Sequence, residues 1–323
     1  RQAYDLAAQR LRTVINDIVA GSIVTKQPAG AVGDIVADET IFDLAGPSSI
    51  GLGAKPTALR GACYFGHYYA REERSGPLLA NGNTGGKRIS KQGFGIGLTA
   101  VTRVGPPDQL HAIPAVIVSL DMHEPSSGSP DALRHAISHM KRNGLDTRPA
   151  HGKTWPRLTV DMGYNPKDDF MPLTIDEQYT PVIRYPKDWS LTETSAHPPG
   201  APDANALPGP LQFAGAFYCP AAEQSLRNHT VPKSRDLLAG NGWTEHNNRL
   251  VDTLPFLMGT NSRPIVNGKR GRPRLGQPPE RHIKLELVCP AVQLRVRCPL
   301  KPASMTQAAF GEPPQVLRRC YTG

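Results

Sequence analysis

The sequence predicts an α/β fold built around a mixed β-sheet, and the order of its elements carries this prediction. Apolar, β-prone segments occur at 34–44, 94–104, 113–122 and 157–161. The segment 129–144, between the third and fourth of these, has the periodicity of a helix. An antiparallel meander of three strands that continues through a helix into a parallel strand places its first and fourth strands side by side. We therefore expect 34–44 and 157–161 to be neighbours in the sheet.

Two helices are marked by spacing and by terminal residues. The segment 2–20 carries apolar residues at helical spacing, which predicts an amphipathic helix: Leu6, Leu11, Val14, Ile15 and Ile18. In the segment 129–144 we expect Ser129 as the N-cap, Pro130 in the first turn and Gly144 at the end.

The chain divides into three regions by composition. Residues 1–30 are interpreted as the end of an N-terminal helical region, 31–186 as an α/β core, and 187–323 as a proline-rich linker followed by a basic, β-rich region. Within the core, the glycine-rich residues 46–92 are expected to form a long excursion. The β-like pieces of the last region include 211–219 and 282–290.

Charge and cysteine content restrict the class of protein. The net charge of +9 favours a polyanionic partner such as DNA, although a merely soluble basic protein would have the same charge. The longest apolar runs fall short of the roughly 20 residues needed to span a bilayer, so we expect no membrane association. Five cysteines in 323 residues fit a reducing compartment, which indicates the cytoplasm.

Two carboxylates stand at the ends of predicted strands. Asp38 and Asp161 each follow an apolar run, and the predicted strand order brings them within reach of each other. Two carboxylates at close range repel unless a proton or a cation lies between them. Hard oxygen ligands favour Mg²⁺ or Mn²⁺, and two such ions form the site of phosphoryl transfer in many nucleases. For Asp161 the alternative is a hydrogen bond to the following turn, which Gly163, Asn165 and Pro166 indicate.

A family resemblance is visible in several segments of this chain. VADETIFDL, AREERSGP, KQGFGIGLTAV and LTVDMGYN resemble the DDE transposases of bacterial insertion sequences, with Asp38-Glu39-Thr40 and Asp161-Met162-Gly163-Tyr164 at the first and second acids. YTPVIRYPKDW, LQFAGAFYCPA, VCPA and RCPL resemble a group of actinobacterial transposase-like proteins. The resemblance covers roughly residues 30–310.

The resemblance implies a fold, an activity and partners. The fold would be a ribonuclease H-like (retroviral-integrase-like) core with a β-rich insertion. The activity would be metal-dependent cleavage at transposon ends and strand transfer into target DNA, with Asp38 and Asp161 as catalytic metal ligands. The partners would be transposon-end and target DNA, on which the protein would assemble as a homo-oligomer in the bacterial nucleoid.

The sequence departs from this family at its third acid. That acid is a Glu on a helix rich in Tyr, Arg and Lys, and no segment here has this pattern. Glu286 lies in a strand-like alternation, and Glu280 and Glu312 lie among prolines. We expect the Glu helix to follow Gly323, so that this chain would be a fragment that is catalytically incompetent alone.

A basic run in the last region is the predicted DNA contact. NGKRGRPRLG contains the Arg-Gly-Arg-Pro core of an AT-hook, and we expect phosphate contacts from Lys269, Arg270, Arg272 and Arg274. A solvated hairpin loop would have the same composition. The alternative function is accordingly a non-catalytic DNA-binding protein that uses this basic half, and a ribonuclease H-like nuclease without strand transfer is a third possibility.

Two further groups have weaker patterns. Cys219, Cys289 and Cys298, each followed by proline, could join Cys320 in a zinc site, although ordinary buried thiols are the commoner outcome. His123 and Glu124 follow Asp121 at the end of a predicted strand. A turn there is a better interpretation than a metal site, because PSSGSP follows at once.

Overall fold

The fold is taken from a computed structural model of the chain. It describes residues 2–45, 63–74, 87–107, 109–125, 128–152, 154–164, 169–183, 192–194, 210–213, 215–222, 237, 239–240, 242–268, 281–298, 305–307, 309 and 311. Among these residues, none of the helices combines the length and apolar character that a bilayer crossing requires.

The chain forms two compact units, Arg1–Arg184 and Tyr185–Gly323. The first unit contains a six-stranded sheet with β1 at Ile35–Asp43, β2 at His67–Arg74, β3 at Lys87–Arg103, β4 at Val116–His123, β5 at Arg157–Val160 and β6 at Thr180–Ile183. Its helices are α1 at Gln2–Ser22, α2 at Ser129–Arg142 and α3 at Phe170–Asp176.

The sheet has the neighbours that the sequence predicts. The carboxyl-terminal half of β3 pairs antiparallel with both β1 and β4. On its other side, β1 pairs in parallel with β5, and β5 pairs in parallel with β6. The order is therefore β4-β3-β1-β5-β6, and the expected adjacency of the first and fourth predicted strands is confirmed.

The predicted excursion at 46–92 contains regular structure in its described residues. Within it, β2 pairs antiparallel with the amino-terminal half of β3, and together they extend the sheet beyond β1. The sequence prediction was wrong here because these strands carry many charged residues, and so lack the apolar alternation that identifies a half-buried strand. Residues 46–62 and 75–86 lie outside the described part of the chain.

Helix α2 covers one face of the sheet. Its fully buried Leu133, Ala136 and Ile137 pack in one cluster with Ala37 of β1 and Leu158 of β5. Burial of this apolar stripe is the main driving force for docking the helix on the sheet.

The start of α2 differs from the prediction. Gly128 is the N-cap, with φ at 68°, and Ser129 is already helical. The Ser129 hydroxyl instead donates a hydrogen bond to Oε2 of Glu39 at 2.7 Å. Gly144, with φ at 68°, follows the last turn of the helix, as expected from its tolerance of left-handed backbone.

Helix α1 is amphipathic, but its buried face is small and polar. Ala8, Asn16 and Ala20 are buried where α1 lies against β4, while Val14 and Ile18 are 52% and 67% exposed. Asn16 donates to the Leu120 carbonyl at 2.8 Å and accepts from the Leu120 N–H at 2.9 Å. The Asn16 amide therefore supplies hydrogen-bond partners for the N–H and carbonyl of Leu120. These backbone groups need partners because β4 lies at the edge of the sheet.

The second unit consists of short elements. Its strands are β7 at Thr192–Thr194, β8 at Leu211–Phe213, β9 at Ala216–Tyr218, β10 at Gly259–Thr260, β11 at Ile265–Gly268, β12 at Arg281–Lys284 and β13 at Leu287–Val288. Helices lie at Trp243–Thr253 and Pro290–Gln293. A small core of Leu211, Phe213, Phe256, Ala291 and Val296 connects these pieces. The predicted β-like pieces at 211–219 and 282–290 each contain two short strands.

Candidate active site where the parallel pairing of two strands ends

The two predicted acids lie at adjacent positions in the sheet. Ala37 of β1 is in register with Val160 of β5 in the parallel pair, and Asp38 and Asp161 are the next residue along each chain. Neighbouring strands are spaced about 4.8 Å apart, so the two backbone positions are close. Both residues are exposed, which leaves the carboxylates open to solvent and to a ligand.

Each carboxylate also accepts a local hydrogen bond. The N–H of Gly163 donates to Oδ1 of Asp161 at 2.9 Å, and the N–H of Glu39 donates to Oδ1 of Asp38 at 2.9 Å. The turn bond that was the alternative explanation for Asp161 is therefore present. Because an ionised carboxylate has about four acceptor sites, one such bond is compatible with a bound cation.

The turn after Asp161 directs a tyrosine into the core. Met162–Tyr164 form a single 3-10 turn, and the buried Tyr164 ring lies 5.7 Å from the Phe170 ring, measured between centroids. Burial raises the pKa of the Tyr164 hydroxyl, and a hydrogen bond with Thr99 acts in the opposite direction.

Three carboxylates act electrostatically on this tyrosine. Glu39, Asp161 and Asp38 each raise the pKa of the Tyr164 hydroxyl further through their negative charge. They are thus near enough to act on one buried group, which supports convergence of the acids at this end of the sheet. The hydroxyl remains protonated beside them at neutral pH.

Glu39 belongs to a second layer of polar residues. It pairs with Thr99 across β1 and β3, and Thr99 pairs with Asp121 across β3 and β4. Residues opposite each other in antiparallel strands point to the same face, here the face covered by α2. In the sequence, Glu39 was noted only as part of the motif Asp38-Glu39-Thr40. Its position in the buried layer was nevertheless predictable, because consecutive residues of a strand point to opposite faces and Glu39 directly follows Asp38.

His123 is a buried member of this layer and is neither in a turn nor a metal ligand candidate. It ends β4, its Nε2 lies 2.9 Å from Oγ1 of Thr99, and its Nδ1 lies 2.8 Å from the Glu124 carbonyl. The predicted turn was wrong at this residue because the strand continues to place the ring over Gly97. A Cβ on Gly97 would lie 2.7 Å from Cε1 of that ring.

Replacing Gly97 by Ala is expected to destabilise the first unit by about 1–3 kcal/mol, because the buried His123 ring has to move. Urea unfolding followed by circular dichroism measures this change. Gly21→Ala is the matched control, since a Cβ there meets nothing within 4 Å and a helix favours Ala over Gly. Equal stability of both variants would contradict the close packing of His123 on Gly97.

Asp121 is already compensated. Its buried carboxylate lies 2.6 Å from Nε of Arg12 and 3.6 Å from Nδ1 of His135. A buried charge held by a guanidinium in this way is a structural ion pair. In contrast to Asp121, Asp38 and Asp161 are exposed.

The donor set fits a hard divalent cation only as a partial site. Across the residues that the structure describes, no three His, Cys, Asp or Glu side chains are grouped closely enough to hold a metal. Mg²⁺, however, is commonly held by one or two protein carboxylates together with water and substrate phosphates. Asp38 and Asp161 meet that requirement.

Other predicted site residues fall elsewhere. The basic residues Lys269, Arg270, Arg272 and Arg274 lie outside the described residues, as do Cys320, Glu280 and Glu312. Glu286 belongs to the second unit, where its carboxylate accepts from Oγ of Ser262 at 3.0 Å.

The other three cysteines of the predicted zinc set belong to the small core. Cys219, Cys289 and Cys298 are half-buried and pack against the core of the second unit. Their packing is that of small apolar side chains.

The arrangement as a whole can do one kind of chemistry. The predicted position of Asp38 at a strand end was wrong, since β1 continues to Asp43, whereas Asp161 directly follows β5. These two exposed carboxylates can hold a cation against a phosphodiester, while the layer beneath them is fixed by buried hydrogen bonds. No protein-family model, curated protein or solved structure matches this chain.

Proposed function

We propose that this chain is the core region of a DDE-type transposase that acts on DNA through Asp38 and Asp161. The observation that carries the proposal is the parallel pairing of β1 with β5, which places these two acids side by side just past the last paired residues, Ala37 and Val160. The strand order β4-β3-β1-β5-β6, with only β3 antiparallel to its neighbours, is the order expected of a ribonuclease H-like core.

The roles of the residues follow from their positions. Asp38 and Asp161 would hold Mg²⁺ or Mn²⁺, which when bound supplies Lewis acidity for hydrolysis and for attack by a 3′-hydroxyl. The local bonds from the N–H groups of Glu39 and Gly163 orient the two carboxylates. The third acid would be a Glu outside the described residues.

The partners in this proposal are transposon-end and target DNA. Lys269, Arg270, Arg272 and Arg274 would contact phosphates, consistent with the net charge of +9. The protein would act in the bacterial cytoplasm, at the nucleoid, as a homo-oligomer on DNA.

Two measurements test the proposal, one on this chain and one on a protein that also carries the third acid. Electron paramagnetic resonance should detect Mn²⁺ bound to this chain. The protein with the third acid should nick supercoiled plasmid that carries candidate terminal repeats in Mg²⁺ and leave it intact in EDTA. Failure to bind Mn²⁺ would contradict the metal site itself, and Mn²⁺ binding without nicking by the protein with the third acid would contradict the catalytic role of Asp38 and Asp161.

A non-catalytic DNA-binding protein is the second candidate, and the positive net charge is the observation that favours it. This candidate predicts DNA binding that weakens steeply with salt and is indifferent to Mg²⁺. Fluorescence anisotropy with labelled duplex DNA, with and without Mg²⁺, separates the two. A requirement for Mg²⁺ that disappears in Asp38→Ala would count against it.

A further inference from the structure

Helix α1 presents an apolar stripe to solvent. The stripe consists of Tyr4, Ala7, Leu11, Val14 and Ile18, all exposed, with Leu11 at 46% and Tyr4 at 68%. These residues follow a heptad spacing of three and four and extend over about 21 Å of helix. A contiguous apolar patch of this kind is typical of an interaction surface.

The stripe lies away from the contact that fixes α1 to the sheet. The docked face contains Ala8, Arg12, Asn16 and Ala20, which recur every four residues on another side of the helix. Asn16 holds that face to Leu120 through two hydrogen bonds. Tyr4, at the amino-terminal end of the stripe, stacks on Tyr64 with 6.4 Å between ring centroids. The helix is therefore a fixed element whose apolar stripe is exposed at Ala7, Leu11, Val14 and Ile18.

We propose that this stripe is a self-association surface, on which α1 of a second copy packs antiparallel. In such a pair Leu11 of one copy lies in the same layer as Val14 of the other, and Ala7 in the same layer as Ile18. A two-fold axis between these layers uses the same patch on both copies, as a symmetric dimer requires.

Charge complementarity selects a second copy as the occupant. Arg10 and Asp17 are both exposed, lie seven residues apart and flank the same edge of the stripe. In the antiparallel register given above, Arg10 of each copy faces Asp17 of the other. The two-fold symmetry therefore creates two equivalent pairs of opposite charges between the helices. Asp17 also accepts a hydrogen bond from Arg142 of its own chain at 2.6 Å, so that in the pair its carboxylate would be shared between Arg142 and Arg10 of the other copy.

The inference does not depend on the proposed catalytic function. It concerns a different surface, and its test is the oligomeric state of the full chain in the absence of DNA and metal. Sedimentation velocity over a range of protein concentrations should show a reversible monomer–dimer equilibrium. A wild-type chain that stays monomeric throughout would overturn the proposal.

Val14→Arg tests the position of the interface. Two like charges brought together at its centre should raise the dissociation constant by about 100-fold or more. The site is exposed, so the variant should keep the wild-type circular dichroism spectrum, and Leu11→Arg serves as a second variant. Val251→Arg, at a 66% exposed Val on another helix, is the matched control and should dimerise like wild type. A dimer that survives Val14→Arg and Leu11→Arg would overturn the proposal.

Charge exchange tests the partner and the register. Arg10→Glu places like charges opposite Asp17 in both halves of the pair, and should weaken the dimer about fivefold to tenfold. The double variant Arg10→Glu/Asp17→Lys restores opposite charges and should return the dissociation constant to within about threefold of wild type. Absence of this rescue would overturn the antiparallel register.

Discussion

In a protein that also carries the third acid, Asp161→Asn and Asp38→Asn are each expected to lower Mg²⁺-dependent nicking by at least about 100-fold, since loss of even an outer-shell partner of a metal costs about 10–100-fold. The substitution is chosen because it separates two explanations for the acids. An Asn side chain keeps an oxygen that can accept from the N–H of Gly163 or Glu39, so the local hydrogen bonds survive. The negative charge that a cation requires is lost.

The measurements are nicking of supercoiled DNA, Mn²⁺ binding and thermal unfolding. We expect both Asn variants to unfold at the wild-type temperature while losing activity and Mn²⁺ affinity together. Asp252→Asn, at an exposed acid of the second unit, is the matched control and should change none of these. Full activity in Asp161→Asn would mean that Asp161 only stabilises the turn that follows it, and would contradict its assignment as a catalytic residue.

The sequence was sufficient to predict the position of this pair because two strong patterns coincide. The apolar runs that became β1 and β5 are buried on the α2 face, and such runs are the most reliable signal in a sequence. A three-stranded meander followed by a helix and a parallel strand is compatible with few sheet topologies, because crossover connections are short and almost always right-handed. The adjacency of Asp38 and Asp161 followed from those two facts.

The layer beneath the acids was not predictable in the same way. His123 is buried because Gly97, on a different strand, leaves room for its ring, and because Thr99 lies within hydrogen-bonding distance. Neither condition is visible in the local sequence of His123, where a polar residue before a proline- and serine-rich segment favours a turn. Tertiary packing decided the outcome at this residue.

The face on which α1 docks was also hidden, for an electrostatic reason. The most apolar side of the helix carries Leu11 and Ile18, which are exposed. The side that docks on the sheet instead makes its polar contacts through Arg12 and Asn16. Arg12 compensates the buried carboxylate of Asp121. Burial of a charge or of strand polar groups without partners costs more than exposure of a few apolar side chains, so the polar face is the one that docks.

Asn16→Asp is therefore expected to be among the most damaging single substitutions in the first unit, at about 3–5 kcal/mol near neutral pH. Asn16 is fully buried, and its Nδ2 donates to the carbonyls of both Arg12 and Leu120 at 2.8 Å. The isosteric carboxylate would place a negative oxygen against two carbonyl oxygens. Only the bond from the Leu120 N–H would survive.

The pH dependence identifies this mechanism. Burial against carbonyl oxygens should raise the pKa of the introduced carboxyl above its ordinary value of about 3.9. The variant should therefore recover stability as the pH falls through that raised pKa, because the protonated form can donate one hydrogen bond again. Urea unfolding at neutral and mildly acidic pH measures the recovery relative to wild type at each pH.

Asn247→Asp, on an exposed turn of the helix Trp243–Thr253, is the matched control and should stay within about 0.5 kcal/mol of wild type. A neutral effect of Asn16→Asp would mean that α1 is held to β4 by something other than this amide, since the same shape with the opposite hydrogen-bonding character would have been tolerated.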